Sequence, residues 1–278
     1  MRIALTKICS AAMAVALACA LAGCGQGESA SSASAGDEVN REVITQVSLL
    51  QGLLQGDYYG SISIGELKQH GDTGIGTFDG LNGELIMVDG VVYQAKGDGA
   101  VDVPDYTMTI PFSNVTFFDS DEVQAAEGIA SFKDLEAQLD ARVTELGANR
   151  FYLVKIDGTF AKVNARSEYA QSEPYKPLVE VLETDQTFFD FEDVEGTVVA
   201  LYCPEYMKEL NNAGWHLHFI SKDGTKGGHV LDLAIDKADI AWDYTEGFDM
   251  MLPDGEFFDT IDFTKDRSEE VRKAETNE

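Results

Sequence analysis

Basic residues are scarce in this chain of 278 residues. It has 20 Lys and Arg residues against 49 Asp and Glu residues, which gives a formal net charge of −29. A chain this acidic repels the phosphates of nucleic acids and the headgroups of anionic lipids. The composition therefore excludes nucleic acid as a natural partner and argues against membrane binding through a charged surface.

Cysteine and proline are also rare, with four and six residues. Four cysteines in a chain of this length cannot form a disulfide scaffold, and the low proline content excludes collagen-like or linker-like sequence. The apolar fraction of 44% is that of a folded globular protein. The length predicts one large domain or two small ones.

The N-terminal apolar stretch, residues 9–21, is too short and too rich in alanine to predict a membrane-spanning helix. It leads into Leu21-Ala-Gly-Cys24, which resembles the lipobox of bacterial lipoproteins, where cleavage precedes a cysteine that receives lipid. We therefore expect residues 1–23 to be a lipoprotein signal peptide and residues 24–40 to be a flexible tether that begins at the lipidated Cys24. This predicts an extracytoplasmic protein that meets the cell membrane only through its lipid anchor.

The rest of the chain is predicted to be an α+β protein in which strands outnumber helices. Apolar residues at helical spacing predict helices over 43–54 and 132–146, the second capped by Ser131 and ended by Gly147. Asp-Gly steps supply the positive φ angles of tight turns. They predict three β-hairpins, over 83–95, 151–166 and 215–235.

Each half of the chain has a Gly-Thr step, Gly76-Thr77 and Gly196-Thr197, followed by hairpins. This pattern predicts two similar β-sheet subdomains. The first, an N-terminal β-rich subdomain, would span residues 41–170. The second, residues 171–278, would carry the third hairpin and the C-terminal tail.

Three of the four histidines lie on the third hairpin. His216 and His218 share one face of a strand because they are two residues apart, and His229 joins them if it pairs opposite Ile220, whereas a register shifted by one residue would turn it away. Three converging neutral imidazoles predict a transition-metal site with Zn²⁺ as the favoured ion. Because no Cys or carboxylate lies at a close fourth-ligand spacing, one coordination position would stay open, as in catalytic zinc sites. The fourth histidine, His70, lies at the end of a predicted helical turn, where the helix dipole accounts for it.

These residues carry a resemblance to a known family. His216-Leu-His-Phe-Ile-Ser221 followed by Gly227-Gly-His-Val-Leu-Asp232 resembles the zinc hairpin of the α-acetolactate decarboxylases. Further matches follow the family's order and spacing from about residue 46 to the C-terminus. They include Gly74-Ile-Gly-Thr-Phe78, Asp79-Gly-Leu-Asn-Gly-Glu84, Ile156-Asp-Gly-Thr-Phe160, Arg166-Ser167 and Pro204-Glu-Tyr-Met207. The Glu168-Tyr169 step departs from the family pattern.

The resemblance implies the decarboxylation of (S)-2-acetolactate to (R)-acetoin by a zinc enzyme that forms a homodimer. Its zinc ligands would be the counterparts of the three hairpin histidines, His216, His218 and His229. The same resemblance implies three catalytic positions: Glu84 in a Gly-Glu-Leu step, Arg166 in the Arg-Ser step, and Glu275 in the tail.

The chemistry of this substrate fits the implied residues. Acetolactate is an anion and the protein is strongly acidic, so a local cation is needed, and the planar fork of Arg166 can hold a carboxylate with two hydrogen bonds. The ketone of the substrate accepts the electron pair of the broken bond, so neither thiamine nor pyridoxal is required. Glu84 and Glu275 are candidates for acid–base partners.

The tail is the weakest of these matches. Val271 is its only clearly apolar residue, so its composition alone predicts a solvated, dispensable chain end. Glu269, Glu270 and Glu278 compete with Glu275 for the catalytic position, and only the Ala-Glu step favours Glu275.

Two other functions stay open on the sequence. In a zinc hydrolase the metal would activate water and Glu84 would be the base, although the His-Glu-x-x-His signature of many metalloproteases is absent. A surface lipoprotein could also bind a metal or a solute without catalysis. Acetoin production from acetolactate by the zinc-loaded protein distinguishes the decarboxylase from both.

Overall fold

The computed structural model describes residues 40–276 of the chain, and of Thr276 only the backbone. The predicted signal peptide, the predicted lipidation site Cys24 and the predicted tether up to residue 39 lie outside the described residues. Within residues 40–276, no helix has the length and apolar character needed to cross a membrane.

The described residues form fourteen β-strands and six α-helices, which confirms an α+β fold with few helices. The strands are β1 (Val43–Val47), β2 (Ile62–Ser63), β3 (Thr73–Thr77), β4 (Glu84–Val88), β5 (Val91–Ala95), β6 (Val101–Asp102), β7 (Thr109–Ile110), β8 (Ser113–Thr116), β9 (Glu122–Ile129), β10 (Phe151–Glu168), β11 (Gln186–Cys203), β12 (Gly214–Ser221), β13 (Gly227–Thr245) and β14 (Gly247–Met251). The helices are α1 (Leu50–Leu54), α2 (Ile64–Leu67), α3 (Phe132–Leu146), α4 (Leu178–Thr184), α5 (Glu256–Thr260) and α6 (Ser268–Thr276).

Two larger sheets organise these strands. The first has the order β14-β1-β8-β3-β4-β5-β6, and its β1–β14 pair is parallel. The second has the order β10-β11-β12-β13-β9, and β10 also pairs with β13, so the four strands from β10 to β13 close into a ring. A core that includes Ile86 and Ala95 of the first sheet and Val199, Leu201 and Ile220 of the second joins the two sheets.

The two sheets do not divide the chain at residue 170. The strands of the first sheet come from residues 43–116, except for β14, which lies near the C-terminus. The strands of the second sheet come from residues 122–245. Strand β10 therefore belongs with the C-terminal hairpin, because it pairs along its length with both β11 and β13. The similarity of the two halves suggested by the Gly-Thr steps does not extend to strand number or strand order.

Helix α3 forms as its sequence predicts. The Ser131 hydroxyl accepts a hydrogen bond from the backbone N–H of Asp134, which satisfies a free donor of the first turn. Leu135, Leu139 and Val143 are buried against the second sheet. The hairpin β4–β5 also forms as predicted, with positive φ angles at its Asp-Gly turn.

The predicted helix over 43–54 is wrong in its first half, where β1 takes its place. Residues Val43, Ile44 and Thr45 are β-branched, which favours a strand, and their neighbours in β8 and β14 provide backbone partners on both sides. Ser48 has a positive φ of 60° and separates β1 from the short helix α1. The helical spacing of the apolar residues over 43–54 is a coincidence, because a short strand is followed there by a short helix.

The predicted hairpin over 151–166 is also wrong, because β10 runs straight through its Asp-Gly step. Asp157 and Gly158 pair with β11 on one side and β13 on the other. A Cβ atom at Gly158 would collide with the carbonyl oxygen of Lys237. The glycine therefore permits a close approach of two backbones instead of a turn.

The C-terminal tail is packed, in contrast to the solvated end that its composition predicts. Within helix α6, Val271 and Ala274 are 9% and 1% exposed. They join a cluster with Leu50 and Leu54 of α1 and Val181 of α4. This contact brings the last turn of α6 to the hairpin that carries the histidines.

Candidate metal centre and active site

The β12–β13 hairpin brings the three histidines together. His218 pairs directly with His229, and Ile220 pairs with Gly227. The register thus differs by two residues from the predicted pairing of His229 with Ile220. Because side chains alternate with a period of two, a shift by two keeps His229 on the predicted face.

One ring nitrogen of each histidine points to a common centre. The Nε2 atoms of His216 and His218 are 3.0 Å apart, and Nδ1 of His229 lies 3.0 Å from Nε2 of His216. Tetrahedral zinc with Zn–N bonds of about 2.0–2.1 Å would hold its ligand nitrogens about 3.3 Å apart. Two of the three distances between the ligand nitrogens are thus close to this value, and this triad could hold a metal.

The outward nitrogens of the same rings fix which atoms face the centre. His218 Nδ1 is 2.8 Å from the carbonyl oxygen of Leu85, and His229 Nε2 is 3.1 Å from that of Glu275. A carbonyl only accepts, so both nitrogens carry hydrogen and the lone pairs of His218 Nε2 and His229 Nδ1 point inward. Such outer contacts orient histidine ligands at metal sites.

The triad is held in its neutral form. Burial, and next to it the nearby charge of Arg166, lowers the pKa of His216 to about 3. Burial also lowers the pKa values of His218 and His229 well below their ordinary value. Neutral imidazole is the form that binds metal ions, so the donor set fits a transition metal. The fourth histidine, His70, is not part of this group.

Glu84 and Arg166 reach the same centre from different sheets. Glu84 begins β4, and its Oε2 is 3.4 Å from Nε2 of His218, the nitrogen that faces the centre. Burial, followed by the charge of Glu168, raises the pKa of Glu84 well above its ordinary value, while Arg166 opposes the shift. Arg166, on β10, is 4% exposed and pairs with His229 across the strands.

The tail supplies both backbone and side-chain contacts. The guanidinium of Arg166 donates through Nη2 to the carbonyl oxygen of Ala274. The Glu275 carboxylate lies 3.5 Å from the outward Nδ1 of His216 and accepts a hydrogen bond from Asn212 at 3.4 Å. Burial raises the pKa of Glu275 to about 7, and the Arg166 charge opposes that rise. Glu275 thus lies beside the ring nitrogen of His216 that faces away from the centre, whereas Glu84 lies beside the nitrogen of His218 that faces the centre.

Glu168 is not among the predicted site residues, although the structure buries it in the site. Its side chain is 4% exposed, and its Oε1 is 3.7 Å from Nη1 of Arg166. The alternation of β10, which places residues 166 and 168 on one face, was the available signal. The structure therefore brings together all six predicted metal-binding and catalytic residues and adds a third carboxyl group.

Two spaces border the histidines. An inner cavity of about 40 Å³ is lined by Thr77, Glu84, Arg166 and Glu168 together with the three histidines. A larger cleft of about 430 Å³ reaches His216, His229 and Glu275 from the other side. The cleft has the size of a small-molecule site, for which volumes of about 300–1,000 Å³ are usual.

The fold and this site define an α+β protein with a buried three-histidine centre able to hold a metal ion. The family model for alpha-acetolactate decarboxylase matches residues 44–265. The chain therefore belongs to the alpha-acetolactate decarboxylase family and is a carboxy-lyase.

Relatives with this name agree with the family match. The alpha-acetolactate decarboxylase of Methanosarcina mazei is 43% identical over 84% of this chain and 80% of its own length. That of Bacillus licheniformis is 36% identical over 85% of this chain and 91% of its own length. The crystal structure of the enzyme from Bacillus subtilis strain 168 superimposes with a TM-score of 0.81 at 33% identity, covering 84% of this chain and 99% of that one.

Proposed function

We propose that the protein converts (S)-2-acetolactate to (R)-acetoin and CO₂ and that it needs Zn²⁺ to do so. The observation that carries the proposal is the shared site: three inward imidazole nitrogens lie beside one buried arginine and a buried carboxyl group. Membership of the family supports the choice of substrate.

The bond that breaks joins C2 of acetolactate to its carboxylate carbon. The electron pair stays on C2 and is delocalised to the ketone oxygen, while the carboxylate leaves as CO₂. A proton must then reach one face of C2 to give a single enantiomer. A zinc ion held by His216, His218 and His229 would supply Lewis-acid stabilisation of the developing negative charge.

The protein's own residues have separate tasks in this proposal. Arg166 holds the substrate carboxylate through its fork, with the Ala274 carbonyl fixing one end of the guanidinium. Glu84 faces the centre and is the residue placed to hold the proton that C2 receives. Glu275 orients His216 and His229 from behind. Burial of the whole group keeps bulk water from competing for C2.

The test is direct. Purified, zinc-loaded protein incubated with racemic acetolactate should form acetoin as a single enantiomer and stop when the (S) substrate is consumed. Removal of zinc with a chelator should abolish the reaction, and added zinc should restore it. Absence of acetoin with fully loaded protein would refute the proposed function and leave hydrolysis or solute binding to be tested.

Two variants separate the contribution of the Glu275 side chain from that of the backbone carbonyls in the tail. Glu275→Gln keeps the backbone carbonyl that His229 contacts, so metal content and thermal stability should stay unchanged while decarboxylation falls about tenfold or more. Deletion of residues 273–278 also removes the carbonyls of Ala274 and Glu275. Loss of such outer contacts should weaken metal affinity about 10–100-fold.

Metal content by elemental analysis and competition with a chelator check this prediction. Thr264→Ala is a control near the C-terminus, because its hydroxyl contacts only Asp262 among the described residues. A truncated protein with full activity and full metal content would remove Glu275 from the site.

A further inference from the structure

Glu168 is a buried acidic group at the centre of the site, and the reaction as described gives it no task. Its side chain lines the inner cavity together with Glu84, and its Oε1 lies 3.7 Å from Arg166 Nη1. Its Oε2 atom receives no hydrogen bond from any donor in residues 40–276. Among the described residues that line the inner cavity, Arg166 is the only arginine or lysine.

The backbone around Glu168 is fixed on two sides. The Ser167 hydroxyl donates to the carbonyl of Ala95, and the N–H of Gly97 donates to the carbonyl of Glu168 at 3.1 Å. A Cβ atom at Gly97 would lie 2.8 Å from the Glu168 carbonyl carbon, so this approach depends on glycine. The strand end therefore holds Glu168 in the cavity and does not let it turn to solvent.

The pairing with Arg166 has a consequence for an anionic substrate. An isolated buried charge is costly, so the two groups stabilise each other. Decarboxylation moves negative charge away from the carboxylate that Arg166 holds. A cation without a counter-charge would stabilise the bound substrate more than the transition state and would thereby raise the barrier.

We propose that Glu168 is a positioning residue that balances the charge of Arg166 and fixes its orientation. The guanidinium then directs the substrate carboxylate through oriented hydrogen bonds without an excess of attraction in the bound state. This proposal rests on the proposed function, because it assigns the substrate carboxylate to Arg166.

Glu168→Gln removes the charge and keeps the shape of the side chain. We expect kcat to fall about tenfold and KM to fall several-fold, because the substrate binds more tightly and reacts more slowly. Glu168→Asp keeps the charge at a greater distance and should restore part of both values. Asp243→Asn is the matched control: Asp243 is 1% exposed, accepts a hydrogen bond from the Asp119 N–H and lies outside the cavity, so kcat and KM should not change.

A purely structural role of Glu168 would not lower KM. A fall in both kcat and KM therefore distinguishes charge balance from a structural role. Unchanged kinetics in Glu168→Gln, or a lower kcat with an equal or higher KM, would overturn the proposal. If the Gln variant does not fold, the Asp variant decides by the same criterion, with smaller falls in both constants expected.

Binding of a substrate mimic separates this proposal from the proposed function. 2-Hydroxyisobutyrate has the carboxylate and the tertiary hydroxyl of acetolactate but no ketone, so it cannot decarboxylate. By calorimetry, zinc-loaded Glu168→Gln should bind it several-fold more tightly than the unmodified protein. Equal or weaker binding would contradict charge balance even if acetoin is formed, whereas tighter binding without acetoin formation would contradict only the proposed reaction.

Discussion

Replacement of His218 by alanine should remove the metal ion and all measurable decarboxylation. His218 is 1% exposed, supplies one of three inward nitrogens and is oriented by the Leu85 carbonyl. Two remaining imidazoles cannot hold zinc as three do. Ala replacements of His216 and His229 should have the same effect, because each supplies one ligand atom.

Thermal unfolding provides a second measurement that does not depend on activity. A ligand present at 1,000 times its Kd stabilises the folded protein by about 4.1 kcal/mol. Added zinc should therefore raise the Tm of the unmodified protein and of His70→Ala, and it should leave the Tm of His218→Ala unchanged. Stoichiometric zinc in His218→Ala, or its loss from His70→Ala, would show that the ligand set is wrong.

Replacement of Arg166 by lysine should lower kcat about 10²-fold or more, the cost expected when an oriented contact to the reacting group is lost. The guanidinium donates to the Ala274 carbonyl through Nη2 and to Gln186 Oε1 through Nη1 at 3.4 Å. A lysine ammonium keeps the positive charge but cannot reproduce this planar fork. The variant should therefore keep its zinc and lose turnover.

Steady-state kinetics with elemental analysis of the same sample distinguishes this loss from a loss of metal. Arg150→Lys is a suitable control, because Arg150 forms an exposed ion pair with Glu246 outside both spaces that border the histidines. Turnover of Arg166→Lys close to that of the unmodified protein would mean that charge alone is sufficient or that Arg166 does not contact the substrate.

Short sequence patterns correctly predicted the elements that are stabilised by residues close together in the sequence. Helix α3 has its cap, its apolar stripe and its terminal glycine within seventeen residues, and the β4–β5 turn is set by Asp89-Gly90. The common face of the three histidines followed from the two-residue period of a strand, so even a wrong register left His229 on the correct side. These inferences needed only neighbouring residues.

The errors came where distant pairing overrides local preference. An Asp-Gly step can turn a chain or can let two backbones approach, and at Gly158 only the position of β13 decides between them. The burial of Ala274 likewise depends on α1 and α4, at least ninety residues away in the sequence. The inclusion of Glu168 in the site required the arrangement of β10 beside the first sheet, which no short motif encodes.

The parallel pair of β1 and β14 affects how the chain must be synthesised and handled. Strand β1 pairs with β8 on one side and with β14 on the other, with Val43 opposite Gly247. Until residue 251 has been made, β1 presents a free edge of β-branched residues, the kind of surface on which chains aggregate. A nascent chain can therefore aggregate through this unpaired edge for most of its translation. In a fragment that ends before β14, the edge of β1 would stay unpaired permanently.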